Sequence, residues 1–277
     1  MTHNMTGNLN RIPTPLSNNQ LMRQAPSVFA THPWEKMSDR YAFIPTIQIV
    51  DKMRMEGFQP FSATQSRTRI EGKQEFTKHV IRFRDTRNGN VPVLRSLGSI
   101  YPELILTNAH DGGSAYKIEA GLFRLVCLNG LTVCDETISE MKVRHSGSVD
   151  GIIDASYEVV ENFPKVLDSI EQFHALRLTA PQQNAYAEAA LELRYEDEKP
   201  PVTTAQVLLP HRTDDIAPTL WNTFNVTQEN LTGGGLRTRN ETTGRRLRTR
   251  AVTGISESSR LNKALWTLTQ KMQELAR

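Results

Sequence analysis

The sequence predicts an α+β protein: an antiparallel sheet with one helix in the N-terminal half and a mainly helical C-terminal half. Three observations carry that expectation. Apolar and polar residues alternate in short runs between residues 58 and 120, with turn residues such as Asn88-Gly89 between them. From Ile152 onward, apolar residues recur at helical spacings of three and four. Pro181, Pro200-Pro201 and Gly233-Gly234-Gly235 then divide the second half into separate helical stretches.

Residues 1–33 are rich in Asn, Thr, Ser and Gln, with prolines at 13, 15 and 26 and no apolar periodicity. Such a segment predicts a flexible arm, followed by a single α+β domain over 34–277. Thr46, after Pro45, is placed to cap a helix carrying Ile47, Ile49, Val50, Met53 and Met55, with Gly57 to end it. Residues 58–70 read as extended chain. Residues 75–85 read as a strand: Ile81 and Phe83 mark its buried side, and Lys78, Arg82 and Arg84 share the opposite one. Asn88-Gly89 predicts a type I′ turn with residues 91–97 returning as the partner strand. Residues 104–107 and 116–120 continue an antiparallel meander. A long helix bent near Pro164 is expected over 152–176. A second starts at Pro181 and a third spans 220–231, ended by the triple glycine. An Arg-rich loop fills 233–254. The final helix, 257–275, is amphipathic, with Leu261, Leu265, Leu268, Met272 and Leu275 on one side.

Several classes of protein are excluded. No apolar run approaches the roughly 20 residues of a membrane span. The N-terminus lacks a secretory pattern. Cys127 and Cys134 form neither a CxxC pair nor part of a zinc quartet, so they read as reduced cysteines of a cytoplasmic protein. No phosphate-binding glycine loop, zinc-protease motif or nucleophile elbow occurs. Neither cofactor nor metal is expected, and no residue is assigned a catalytic role. His110 or His145 beside Asp135 and Glu136 would be needed for acid–base chemistry. Glu192, Glu196, Asp197, Glu198, Asp214 and Asp215 would be needed for a cation; neither spacing demands it.

Charge is the more informative property. The chain has 33 Lys+Arg and 30 Asp+Glu, a net +3. Between Gln65 and Arg95, eight basic residues face three acidic ones; between Gly233 and Arg250, six arginines face Glu241 alone. Each segment carries +5, so the remainder carries −7. Arginine presents planar, bidentate donors that match phosphate. The expected nucleic-acid contacts are therefore Arg67, Arg69, Lys78, Arg82 and Arg84 on the sheet, and Arg237, Arg239, Arg245, Arg246, Arg248 and Arg250 in the loop. Phe76, Phe83 and Tyr101 lie near the basic strands and offer rings for base stacking. Asn222, Asn225 and Glu229 share one helical face and mark either a polar site or a buried hydrogen-bond network, the latter favoured.

Three segments together carry a family resemblance. They are Arg40-Tyr41-Ala42-Phe43-Ile44-Pro45-Thr46; Phe123-Arg124-Leu125-Val126-Cys127-Leu128-Asn129-Gly130-Leu131; and Thr219-Leu220-Trp221-Asn222-Thr223-Phe224-Asn225 through Asn230, with Leu261-Asn262-Lys263-Ala264-Leu265-Trp266 after it. Over about residues 34–277 the chain resembles the phage/plasmid-like proteins of the domain of unknown function 932 family. The resemblance implies a mobile element in a bacterial host and brings no catalytic residue with it. The expected function is a mobile-element accessory protein that binds nucleic acid, DNA in particular, in recombination, replication or repair. Single-strand binding or annealing, with the terminal helix serving homo-oligomeric assembly, would suit it. The alternative is a protein-interaction module, such as an inhibitor of a host defence system.

Overall fold

The computed structural model describes residues 14–38, 41–125, 129–132, 141–143, 148–196, 198–239 and 243–276, with side chains left undescribed at 129–131 and 141–143. The first expectation to fall is the arm. Ser17 caps a helix, α1 (Asn18–Gln24), through a reciprocal capping box with Gln20, and a 3-10 turn follows over Pro26–Phe29. Leu21, Ala25 and Val28 are fully buried in the main core. Residues 14–33 are thus part of the folded body; 1–13 lie outside the described residues.

Helix α2 (Thr46–Met55) buries Ile49, Val50 and Met53 and ends at Gly57, whose φ of 89° lies in the left-handed region. Thr46 does not cap it. Pro45 holds that position, and the Thr46 hydroxyl turns inward to the His79 and His110 rings and the Tyr116 hydroxyl.

The strands are β1 (Phe58–Gln65), β2 (His79–Asp85), β3 (Ile100–Asn108), β4 (Tyr116–Arg124), β5 (Asn129–Thr132) and β6 (Met141–Val143). They form an antiparallel sheet in the order β1-β2-β3-β4, with β5 and β6 both pairing along the far side of β4. Asn129 and Gly130 thus open β5. Residues 91–97 do not return as a strand. They make one bridge, Val93 to Ile100, and a 3-10 turn over Arg95–Leu97, and β3 supplies the partner of β2.

Helix α3 (Val149–Glu161) packs with α2 on one face of the sheet, enclosing Ile81, Phe83, Leu104, Leu106, Ile118 and Leu122. The expected long bent helix is two: α3 stops at Asn162, and α4 (Phe163–Ala175) starts with Pro164 in its first turn, where a missing N–H costs nothing. Then come α5 (Ala180–Tyr195), the single turn α6 (Thr204–Val207) and α7 (Leu220–Gly233). A hairpin of β7 (Arg237–Arg239) and β8 (Arg246–Arg248) replaces the expected loop, and α8 (Ile255–Leu275) closes the chain. Phe173, Trp221, Phe224 and Trp266 stack edge-on or tilted to form the helical core. Leu261 and Leu265 of the expected α8 stripe are fully buried there beside Trp266, Leu268 and Met272 are partly buried against the core, and Leu275 is exposed. No helix among the described residues is long and apolar enough to cross a membrane.

Candidate nucleic-acid interface

The hairpin is built from local chemistry. Gly234 and Gly235 both have positive φ, and a Cβ on Gly234 would lie 2.6 Å from the backbone of Arg250 and Ala251. Only glycine lets the two arms meet so closely. Gly235 N donates to Thr249 O at 2.9 Å, Val252 N donates to Thr232 O at 2.8 Å, and Leu236 and Val252 pack on the core. Cross-strand pairs are Arg237 with Arg248, Thr238 with Leu247, and Arg239 with Arg246. Directly opposed residues share a face. Thr238 donates its hydroxyl to Pro201 O at 2.5 Å, so the Thr238 side of the ribbon is tied to the body, while Leu247 beside it is exposed. The four arginines project from the other face as a two-by-two array. Like charges set opposite one another are destabilising, and an anion relieves that cost. Arg245 and Arg250 are also exposed. None of the six forms an ion pair among the described residues; Glu196 and Glu257 of the neighbouring acidic region are engaged by Arg260.

The basic face of the sheet divides differently from the expectation. Arg67 and Arg69 are exposed just beyond β1. Lys78 lies at the rim of a groove of about 590 Å³ between the sheet and the start of α8, and its Nζ sits 3.0 Å from the Ser256 hydroxyl. Arg82 lies on the groove floor, paired with Glu103 at 2.9 Å. Arg84 is corrected: it is only 3 % exposed and cannot meet a strand. Its Nε donates to Glu103 at 2.8 Å, and its guanidinium lies 4.3–4.5 Å from the ring centres of Phe61, Tyr101 and Phe123. Phe61 reaches it because the β1–β2 register slips between Pro60 and Ser62. Tyr101 is thereby committed to the cage, Phe83 is core, and Phe76 packs against His32 and Trp34; none of the three is free to stack on bases.

Sequence reasoning missed the other half of the groove. Lys117 enters through register, opposite Thr107, which is itself opposite Val80. Arg260 and Lys263 enter from α8. No local pattern announces them, because each joins through an element distant in sequence. The groove shares Arg260 with a second cleft, and that cleft shares Pro201, Thr238, Leu247 and Arg248 with the cavity at the hairpin. Lys78 and Arg82 of the first basic segment thus connect with the hairpin through a cleft around the start of α8 that Glu196, Glu198 and Glu257 also line.

Asn222, Asn225 and Glu229 fall on the structural side of the choice. Asn222 Nδ2 donates to Asp214 O and Ala217 O, and Asn225 Nδ2 donates to Trp221 O one turn back. Glu229 accepts two hydrogen bonds from Arg212, at 2.5 and 2.8 Å. Arg212 also binds the buried Asp215, whose other oxygen receives Arg124 of β4 at 2.8 Å. This chain of charges ties sheet to helices. Asp215 is therefore not an open carboxylate for a cation, and no group of three or more candidate metal ligands occurs among the described residues. Cys127, Cys134, Asp135, Glu136, His145 and Asp197 lie outside them. His110 is buried beside His79, and burial lowers the His79 pKa to about 4.

The family described as Domain of unknown function (DUF932) matches residues 33–266. The chain belongs to this family. Its DUF932 relatives include two proteins of Escherichia coli (strain K12). UPF0380 protein YafZ is 44 % identical over 266 residues, 96 % of this chain and 94 % of that protein. UPF0380 protein YfjQ is 43 % identical over the same extent. No solved structure matches.

Proposed function

We propose that this protein binds nucleic acid, DNA above all, along the path from the sheet groove to the hairpin. It would act in the cytoplasm as an accessory factor of a mobile element, in recombination, replication or repair. The observation that carries the reading is the exposed array of Arg237, Arg239, Arg246 and Arg248. Arginine in this form engages phosphates bidentately, and the strand pairing sets the spacing of the four side chains. With the rings near β2 and β3 committed elsewhere, the contacts are to the backbone, so binding should depend little on sequence. Single-strand binding or annealing suits such contacts.

Anisotropy titrations with single-stranded and duplex DNA between about 50 and 200 mM salt test this reading. Replacing all four arginines with Ala should lower the slope of log K against log salt by about three units on single strands and nearly four on duplex. A folded protein that binds neither at low salt overturns the reading. Retention of a host protein by the arginine face after nuclease treatment would instead favour an interaction module.

A further inference from the structure

We infer that the groove between the sheet and the first turn of α8 is a binding site for a phosphate group, one that stands without the hairpin reading. Four independent features converge on it.

The first is backbone. Helix α8 runs 21 residues, and Gly254 at its N-cap offers no capping side chain. Ser258 N donates to Gly254 O, so the amides of residues 255–257 precede the first helical bond. Aligned peptide dipoles add positive potential there. The second is charge. Lys78, at 3.0 Å from the Ser256 hydroxyl, holds an ammonium at that helix end, and Arg82, Lys117, Arg260 and Lys263 line the same space. Glu119 is the acid among its described lining residues and is bound by Lys263; Arg82 is paired with Glu103 below the floor, and Arg260 with Glu196 and Glu257 outside it.

The third is unmet polarity. Thr107 and Thr132 line the groove, 8 % and 5 % exposed, and neither hydroxyl makes a hydrogen bond among the described residues. Polar side chains held this deep ordinarily make one, and a ligand oxygen in the groove would supply it. The fourth is space. A Cβ on Gly121 would come 2.6 Å from Ile105 Cδ1 and 3.2 Å from the Arg82 guanidinium. Glycine at 121 lets Arg82 lie flat across the floor. The volume, about 590 Å³, suits a nucleotide better than a bare ion. A free nucleotide and the phosphate of a strand present the same chemistry to these groups.

Calorimetry of the full chain with inorganic phosphate, deoxyadenosine monophosphate, and pentathymidine with a 5′-phosphate or a 5′-hydroxyl tests the site. Phosphate or the mononucleotide should bind, and Lys78→Met should weaken that binding about tenfold. Should Lys78→Met fail to fold, the near-isosteric double variant Thr107→Val/Thr132→Val is read instead, with an expected loss of about three- to tenfold. The hairpin variant Arg246→Ala/Arg248→Ala should bind the mononucleotide as the parent does, which separates this site from the nucleic-acid reading. Competition by the phosphorylated oligonucleotide alone marks a strand end, by both oligonucleotides a strand interior, and by neither a free nucleotide. No heat beyond that of chloride at matched ionic strength, or wild-type affinity in both groove variants, overturns the site.

Discussion

His79 shows how much a single buried side chain can set. Its ring is enclosed, with Nδ1 2.8 Å from the Ser27 hydroxyl and Nε2 2.9 Å from that of Thr46. Burial favours the neutral ring and lowers the folded pKa from 6.5 to about 4. The unfolded chain therefore takes up its proton first as pH falls. Stability from this group is complete above the unfolded value and should be lost progressively between pH 6.5 and about 4. The loss is on the order of 3 kcal/mol. Urea midpoints measured from pH 7 downward should show it, and His79→Asn should flatten the profile. Glu103 gives a second prediction at this scale. It pairs with Arg82 and Arg84 together, so Glu103→Ala removes the carboxylate that both share and leaves the buried Arg84 without an anion, which should cost about 3–5 kcal/mol in urea unfolding. The sequence placed Lys78, Arg82 and Arg84 on one face correctly. It could not show that Phe61, Tyr101 and Phe123 would enclose one of the three, since those rings come from β1, β3 and β4.

At the scale of elements, α1 and the hairpin are the instructive cases. The α1 signal was present: Ser17-Asn18-Asn19-Gln20 is a capping-box sequence, and it matches the Thr179–Gln182 and Thr203–Gln206 boxes of α5 and α6. Polar composition and prolines masked it, because a helix of 7 residues is too short to display a periodic face. Its Leu21 nonetheless fills the core. Leu21→Ala should destabilise the protein by about 2–5 kcal/mol. A surface-like effect below about 0.5 kcal/mol would show that the segment does not dock. The hairpin was invisible for a different reason. Alternating Arg and Thr carry no apolar signal, and its strands are held by the Gly234-Gly235 base and by Pro201 rather than by a buried face of their own. Gly234→Ala should therefore displace the ribbon and lower DNA affinity while leaving mononucleotide binding in the groove intact, as read by the same titrations.

At the scale of the whole molecule, net charge +3 conceals two basic surfaces, the sheet groove and the hairpin, joined around the start of α8 by a cleft of mixed charge. Sheet and helices are not separate bodies beside it. Arg124 of β4, Asp215, Arg212 and Glu229 of α7 form an ionic chain between them, buried at Arg124 and Asp215 and half-buried at Arg212 and Glu229. By itself, the sequence determined the α+β class, the order of most helices, the polarity of β2 and the two concentrations of arginine. These are properties of composition and short-range period, which survive without knowledge of distant partners. Only the tertiary structure decided which cations meet at the groove. Arg84 is removed by aromatic rings and a carboxylate far along the chain, while Lys117 and Lys263 are brought in by strand register and helix packing. Burial and pairing both depend on contacts between residues that the linear order keeps apart.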